Sequence, residues 1–361
     1  MTDLEKARSI IDKTDREMAR LFEERMKAAQ LVAKYKGERG LQVEDSQREK
    51  LIIERNSEYI QNDEFRSYYV QFMENTMAIS RAYQHRLLDG IRVAYSGVEG
   101  AFAYIASKKI FPDASAVAYP DFKSSYQAVV DGKCDCAVLP IENSYNGDVG
   151  QVMDLCFFGQ LFINGIYDVS VVQNLLAVDG ASINDIKQVI SHPQALGQCA
   201  EYIREHNFEE IQAVNTAIAA KQVAQWGRKD IAAIASDEAA KQYGLVKLEA
   251  RINESESNTT RFAVLSKTPR AASTDGHFIM MFTVKNEAGS LGKAISVIGA
   301  HGFNLRALKS RPAHELIWSY YFYVEGEGNI DSDEGKAMLA ELKGCCDNIK
   351  IVGNYDKEIV L

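Results

Sequence analysis

The most constraining feature of the chain is the uninterrupted helical periodicity at its start. Residues 1–89 contain no proline, and their only glycines are Gly37 and Gly40. Leu4, Ala7, Ile10, Ile11, Met18, Leu21, Phe22, Met26 and Ala29 recur at helical spacing, which predicts one helix from Asp3 to Lys36. At about 1.5 Å per residue it is roughly 50 Å long. A 90-residue unit cannot bury so long a stripe alone, so the helix implies a bundle shared between two chains. Gly37 to Gly40 is expected to end it. Ser46-Gln47-Arg48-Glu49 has the form of a capping box and is expected to open a second helix. A third is expected from Asp63 to Leu88.

After Asp89-Gly90 the texture becomes α/β. Apolar runs at Ile91–Tyr95, Cys136–Ile141, Val169–Val178, Val189–Ile190, Ile231–Ala235 and Phe262–Leu265 alternate with helical stretches at Ala101–Ile110, Ser124–Val130 and Ala217–Gln225. That alternation predicts a largely parallel sheet. Lys267 to Gly276, with Pro269, Ser273 and Asp275, reads as a linker. Beyond it the expected order is strand Phe278–Val284, helix Ser290–Ala300, strands Asn304–Lys309 and Ile317–Val324, helix Ser332–Leu342 and strand Ile349–Val360. This βαββαβ order is ferredoxin-like. Three regions are therefore expected: all-α over 1–89, α/β over 91–268 and α+β over 276–361.

The formal net charge of −9 does not favour nucleic acid or an acidic membrane face as a partner. An anionic substrate is then expected to need a local cluster of Arg and Lys. The opening residues lack a signal-peptide core, and Asp168 interrupts the apolar stretch from Leu155 to Val178, so no membrane span is expected. Cys134, Cys136, Cys156, Cys199, Cys345 and Cys346 form neither CxxC pairs nor a disulfide framework, which suits a cytoplasmic protein.

Arg25 and Lys36 are 11 residues apart, which puts them on one helix face about 16 Å apart and lets them grip a small dianion. Arg8 lies about 25 Å from Arg25 and about 100° around the axis, so it would serve such a site only from a partner chain. Ser80 and Gln84 share a face at i and i+4. Together, Arg8, Arg25, Lys36, Asp45, Arg48, Glu49, Ser80 and Gln84 resemble the active-site pattern of the all-helical chorismate mutases. The resemblance implies an intertwined dimer that rearranges chorismate to prephenate. It also implies that Lys36 and Gln84 bond the ether oxygen, that Arg8, Arg25 and Ser80 hold carboxylates, and that Glu49 takes the ring hydroxyl. Arg48 and Asp45 would complete the polar shell.

Leu139-Pro140-Ile141-Glu142-Asn143-Ser144, Ser191-His192-Pro193-Gln194 with Gln198, and Asn258-Thr259-Thr260-Arg261-Phe262 each join a strand end to a polar turn. In combination they resemble the prephenate dehydratases, whose fold implies a two-lobed α/β region here. The turn Gly97-Val98-Glu99-Gly100-Ala101-Phe102-Ala103 also resembles that family's first turn, with Ala101 and Ala103 where hydroxyl residues are usual. The resemblance implies catalysis by Thr260, with Asn143, Ser191 and Gln198 lining the prephenate site. Arg261 is open between carboxylate binding and structure, Glu142 is a supporting residue, and His192 reads as structural.

Asn286-Glu287-Ala288-Gly289-Ser290-Leu291 and Leu308-Lys309-Ser310-Arg311-Pro312 resemble the ACT domains of phenylalanine-regulated dehydratases, with Lys309 where Glu is usual. The resemblance implies an effector site at Gly289, Ser290, Leu291, Ser310 and Arg311 for L-phenylalanine. Gly289 to Ala294 is not a P-loop, and no cofactor or structural metal is expected. The function implied is a cytoplasmic, homodimeric or larger bifunctional enzyme of phenylalanine biosynthesis. It would use chorismate and prephenate as substrates and answer to L-phenylalanine as effector. Three alternatives stand beside it: a dehydratase whose helical region only dimerises, a non-catalytic small-molecule sensor, and use of arogenate.

Overall fold

A computed structural model describes residues 2–255, 258–271, 276–312, 320–356 and 358–361. Residues 272–275 of the expected linker and 317–319 of the expected strand lie outside the described residues. The chain forms two compact units, Met1–Arg92 and Val93–Leu361.

The first unit is three helices: α1 (Asp3–Arg39), α2 (Ser46–Ser57) and α3 (Asp63–Asp89). Thr2 and Glu5 form a capping box that starts α1, and Gly40, in the left-handed conformation at φ +62°, stops it. Gly37 is therefore helical, not a breaker. The cap of α2 also differs from expectation. Asp45, not Ser46, is the N-cap, its carboxylate accepting from the Arg48 N–H at 3.1 Å, and Glu49 turns instead to Arg81. Asp serves this position as well as Ser and leaves Glu49 free to pair. Of α1's 37 residues only Ala29 and Ala33 are buried, while Leu4, Ile10, Ile11, Leu31 and Tyr35 are exposed.

The second unit begins with β1 (Arg92–Ser96), α4 (Phe102–Ile110), β2 (Ser115–Tyr119), α5 (Phe122–Val130), β3 (Cys136–Asn143), β4 (Gly147–Asp148), α6 (Gly150–Phe158), β5 (Phe162–Ser170) and β6 (Asn174–Ala177). It continues with β7 (Gln188–Ser191), α7 (Pro193–Gln198), α8 (Ala200–Glu205), β8 (Glu209–Gln212), α9 (Thr216–Trp226), β9 (Ile231–Ala235), α10 (Asp237–Tyr243), β10 (Val246–Glu249) and β11 (Thr259–Ser266). Last come β12 (His277–Thr283), α11 (Ser290–Ala300), β13 (Asn304–Pro312), β14 (Tyr320–Glu327), α12 (Asp333–Leu342), β15 (Asn348–Tyr355) and β16 (Ile359–Val360).

Two sheets result. One runs β13-β14-β12-β15-β5-β11-β3-β1-β2, with β16 beside β5 and β4 beside β3; the other runs β10-β6-β9-β7-β8. Both are mixed rather than largely parallel: β1 and β3 are parallel, as are β7, β8 and β9, but β11 is antiparallel to β3 and β5, and β6 to β9 and β10. The run Val169–Val178 is two strands in different sheets, not one. The break, Val171 to Gln173, is where the chain crosses between lobes, and its backbone bonds the returning crossover instead of a ladder: Val171 N to Asn258 O (2.8 Å), Gln173 N to Asn253 Oδ1 (3.1 Å) and Ile252 N to Gln173 O (2.9 Å). The expected final strand is likewise two, β15 and β16.

The first sheet passes from one region to the next without a gap. Gly353 of β15 pairs with Ile163 of β5, and a Cβ at Gly353 would lie 2.0 Å from the Ile163 carbonyl oxygen, so only glycine allows the approach. Period-2 alternation then gives β12 two cores. Ile279 and Met281 join Leu139, Ile141, Ile163 and Tyr321 on one face, while Phe278, Met280 and Phe282 pack with Ile298 of α11 and Met338 of α12 on the other. Each such buried side chain stabilises the fold by about 1.5–3 kcal/mol, which is why the C-terminal strands stay seated on β5.

Candidate active sites

In the helical unit the third helix brings its small polar residues against the first. The Arg25 guanidinium bonds the Ser80 hydroxyl and reaches the Thr76 carbonyl at 3.4 Å. Burial lowers the pKa of Arg25 from its ordinary value, and the Glu49 carboxylate works in the opposite sense. Ser80 and Gln84 are buried within α3; Gln84 Nε2 donates to the Ser80 carbonyl at 3.3 Å and its Oε1 has no partner. Lys36 reaches the carbonyl of Val43 at 2.7 Å. Arg25, Ser80, Gln84 and Glu49 (through Arg81 of α3) thus meet along α3. Asp45 serves as the α2 cap, and Arg48 and Arg8 are exposed. Arg81 was not singled out from the sequence, although its place one residue after Ser80 was a signal.

In the second unit a cavity of about 680 Å³ lies at the carboxyl ends of β1, β3, β7 and β8. Ligands in open α/β folds bind in that crevice. Asn143 and Thr260 meet on its wall as opposed residues of β3 and β11, with Asn143 Nδ2 donating to Thr260 Oγ1 at 2.9 Å and to Asn258 Oδ1 at 3.0 Å. The Asn143 Oδ1 accepts from the N–H groups of Tyr145 and Asn146, both at 3.0 Å, so the side chain is fixed from both ends. Gln198 lines the opposite lobe beside Gln173 (2% exposed), whose Oε1 has no partner.

Two expected residues fall outside the wall. Ser191 is fully buried and donates to the Ile234 carbonyl at 2.6 Å, tying β7 to β9. Arg261 follows Thr260 in a strand, so it projects from the other face. There it bonds Glu325 (2.9 and 3.2 Å), Glu358 (2.7 Å) and Glu142 (3.3 Å). Burial alone would lower the pKa of Arg261, but the Glu325 carboxylate more than offsets it and the net shift is upward. His192 lines the cavity and caps α7, its Nδ1 accepting from the Gln194 N–H at 3.2 Å; burial lowers its pKa.

The cavity's charge also departs from expectation. Among its lining residues there is no Lys or Arg. Instead the starts of α4, α5, α6, α7 and α9 converge on it, through Ala101 and Phe102, Asp121 and Phe122, Val149 and Gly150, His192, and Asn215 and Thr216. The N-termini of α4 and α6 carry no side-chain cap. Helix N-termini hold unsatisfied N–H groups and about half a positive charge each, so they attract anions without a cationic side chain. Gln173, Gln151, Asn215 and Thr216 were missed in the sequence; the strand-cap-helix order at Gln212–Thr216 was the available signal.

On the expected effector side, Gly289 begins α11 at φ +84°, followed by Ser290 and Leu291. Ser310 and Arg311 lie near the end of β13. Arg311 bonds Asp154 of α6 (3.3 Å) and the Tyr321 hydroxyl (3.0 Å).

Comparison with known proteins follows the same division. The prephenate dehydratase family profile matches residues 93–270 and the chorismate mutase type II profile residues 7–85. Arogenate dehydratase/prephenate dehydratase 2 of Arabidopsis thaliana is 35% identical over 276 residues, covering 73% of this chain and 72% of its own. The bifunctional chorismate mutase/prephenate dehydratase of Aquifex aeolicus (strain VF5) is 29% identical over 367 residues, covering 100% of this chain and 99% of its own. The crystal structure of prephenate dehydratase from Arthrobacter aurescens, in complex with L-Phe, shares the fold at a TM-score of 0.69 and 24% identity over 74% of this chain and 90% of its own. Since the likeness to joined enzymes extends over the whole sequence, this chain belongs to the bifunctional chorismate mutase/prephenate dehydratases, enzymes of phenylalanine biosynthesis.

Proposed function

We propose that the helical unit rearranges chorismate to prephenate and that the cavity at Asn143 and Thr260 converts prephenate to phenylpyruvate. The hydrogen bond between those two side chains, on a cavity wall at strand ends, carries the second assignment. Prephenate loses its ring hydroxyl as water and its ring carboxylate as carbon dioxide; the electrons of the breaking C–C bond complete the aromatic ring. Thr260, oriented by Asn143, hydrogen-bonds or protonates the departing hydroxyl. Gln198 and Gln173 contact the substrate from the other lobe, and helix N-termini hold its carboxylates. Ser191 supports the site through β7, and Arg261 anchors β11 to the C-terminal strands.

In the helical unit Arg25 and Ser80 hold carboxylates, Glu49 takes the ring hydroxyl, and Lys36 and Gln84 stabilise charge appearing on the ether oxygen. The unpartnered Gln84 Oε1 and the Arg25–Ser80 pair support this reading. Arg8 comes from a second copy, and the exposed apolar stripe of α1 is what a homodimer would cover. Functionally the chain divides at 1–89, 91–268 and 276–361, the last a ferredoxin-like ACT region that binds L-phenylalanine at Gly289, Ser290, Leu291, Ser310 and Arg311. Its cysteines, which form no CxxC pair, fit the cytoplasm. A second reading, arogenate as substrate, is favoured by the name of the Arabidopsis relative.

The test is incubation with chorismate alone, following chorismate loss and phenylpyruvate appearance with and without L-phenylalanine. Phenylpyruvate is expected, and more slowly with the effector. Prephenate accumulating alone would break the dehydratase reading, and retention of phenylpyruvate formation in Thr260→Ala would break that residue's role. Comparing prephenate with arogenate in the same assay decides between substrates.

A further inference from the structure

The end of β13 grips the dehydratase half of its own unit. Lys309 Nζ donates to Asp148 Oδ1 at 2.5 Å and lies 2.8 Å from Glu142 Oε1. These two carboxylates oppose each other across the β3–β4 pairing, in which Asn143 opposes Gly147. Like charges directly opposite in a sheet are destabilising. An ammonium between them removes that repulsion and ties the two legs of the hairpin together. The Lys309 side chain is only 20% exposed. Burial works against its charge, yet Asp148 and Glu142 raise its pKa overall.

No described neighbour duplicates this contact. Arg261 reaches Glu142, but its other contacts are with Glu325, Glu358 and Asp168, and none is with Asp148. The hairpin matters because its tip positions the reacting pair. Asn143 receives the Tyr145 and Asn146 N–H groups there and donates to Thr260, and Asn146, Gly147 and Asp148 all line the cavity.

We infer that Lys309 is a positioning residue for the dehydratase reaction, one that reaches from the C-terminal region to both legs of the 142–148 hairpin and so fixes Asn143 against Thr260. The inference rests on the roles proposed for those two residues. Lys309 touches no substrate; it acts through the hairpin. The sign of the charge matters here: a glutamate in place of Lys309 would add a third carboxylate to Glu142 and Asp148.

The experiment uses the full chain with Lys309→Met and Lys309→Arg, measuring dehydratase kcat and KM, mutase rate, and amide hydrogen exchange over residues 143–149. For Lys309→Met the dehydratase kcat is expected to fall roughly tenfold to a hundredfold, the scale of a misplaced catalytic group. KM should change much less. Exchange at the Tyr145 and Asn146 amides should quicken, the mutase rate should hold, and Lys309→Arg should restore most of kcat. An unchanged kcat, unchanged exchange, a mutase rate falling in step, or an Arg variant as poor as Met would each overturn the inference. If Thr260→Ala keeps full dehydratase activity while Lys309→Met still loosens the hairpin, the assignment of the reacting pair has failed and the clamp has not.

Discussion

The helical unit and the dehydratase cavity are both assigned dianionic substrates, yet they are built from different sources of positive potential. The first offers side-chain cations, Arg25 and Lys36, along a helix face. The second has no Lys or Arg on its wall and gathers five helix starts. Architecture explains the difference. The positive end of α1 is confined to its first turn, roughly 25–50 Å from Arg25 and Lys36 along the axis. A site in the middle of a long helix must therefore recruit charged side chains. A strand-helix alternation brings many N-termini to one sheet edge, and they need no side chain to attract an anion.

Substitutions can break this comparison or sharpen it. The largest effect is expected for Lys36→Ala, which should slow the mutase by roughly 10²–10³-fold, the scale for one lost donor at a developing oxyanion, while the dehydratase rate is kept. A parallel loss in both assays would dissolve the contrast. Next is Gln84→Glu. A carboxyl at this buried position titrates above its ordinary value of about 4.3 and bonds an ether oxygen only when protonated, so mutase activity should be confined to acid pH and fail near neutrality. A flat pH–rate profile would remove Gln84 from the site.

A smaller effect belongs to the helix ends. His192→Ala removes the α7 cap and should cost about 1 kcal/mol in denaturant unfolding, whereas His192→Asn should retain it. The pH dependence has a definite sign. The folded-state pKa of His192 is lowered from 6.5, so its contribution is complete above about pH 6.5 and is lost as pH falls through the folded value. Wild-type stability should therefore fall on acidification by more than that of the Asn variant; parallel curves would show that the cap does not titrate. The smallest effect is expected for Asp121→Asn, which keeps the α5 cap and removes a negative charge from the cavity wall. The KM for prephenate should drop roughly twofold to fivefold, less so at high salt. No change would mean that the wall's charge does not reach the substrate.

Much of this was legible in one dimension. The helices of the first unit could be read because apolar spacing and the stop at Gly40 agree locally. The order of the last six major elements was legible for the same reason. The split of Val169–Val178 between sheets was not, since both halves are apolar and only pairing partners distinguish them. Arg261 could have been placed: if Thr260 faces the cavity, strand alternation turns its neighbour away. The cation-free cavity was hidden, because its helix starts are spread over more than a hundred residues and meet only in space.

The close approach of Gly353 to Ile163 makes the C-terminal region a poor candidate for exchange between enzymes. It is not a cassette hung on a tether. A nick between residues 271 and 276 should leave two fragments that co-elute, because sheet pairing and a common apolar layer still join them. Removing residues 276–361 would strip β5 of both its C-terminal partners, β15 and β16, and leave a bare strand edge, a template for aggregation. For a protein built this way, the C-terminal strands are also what covers the exposed edge of the dehydratase sheet.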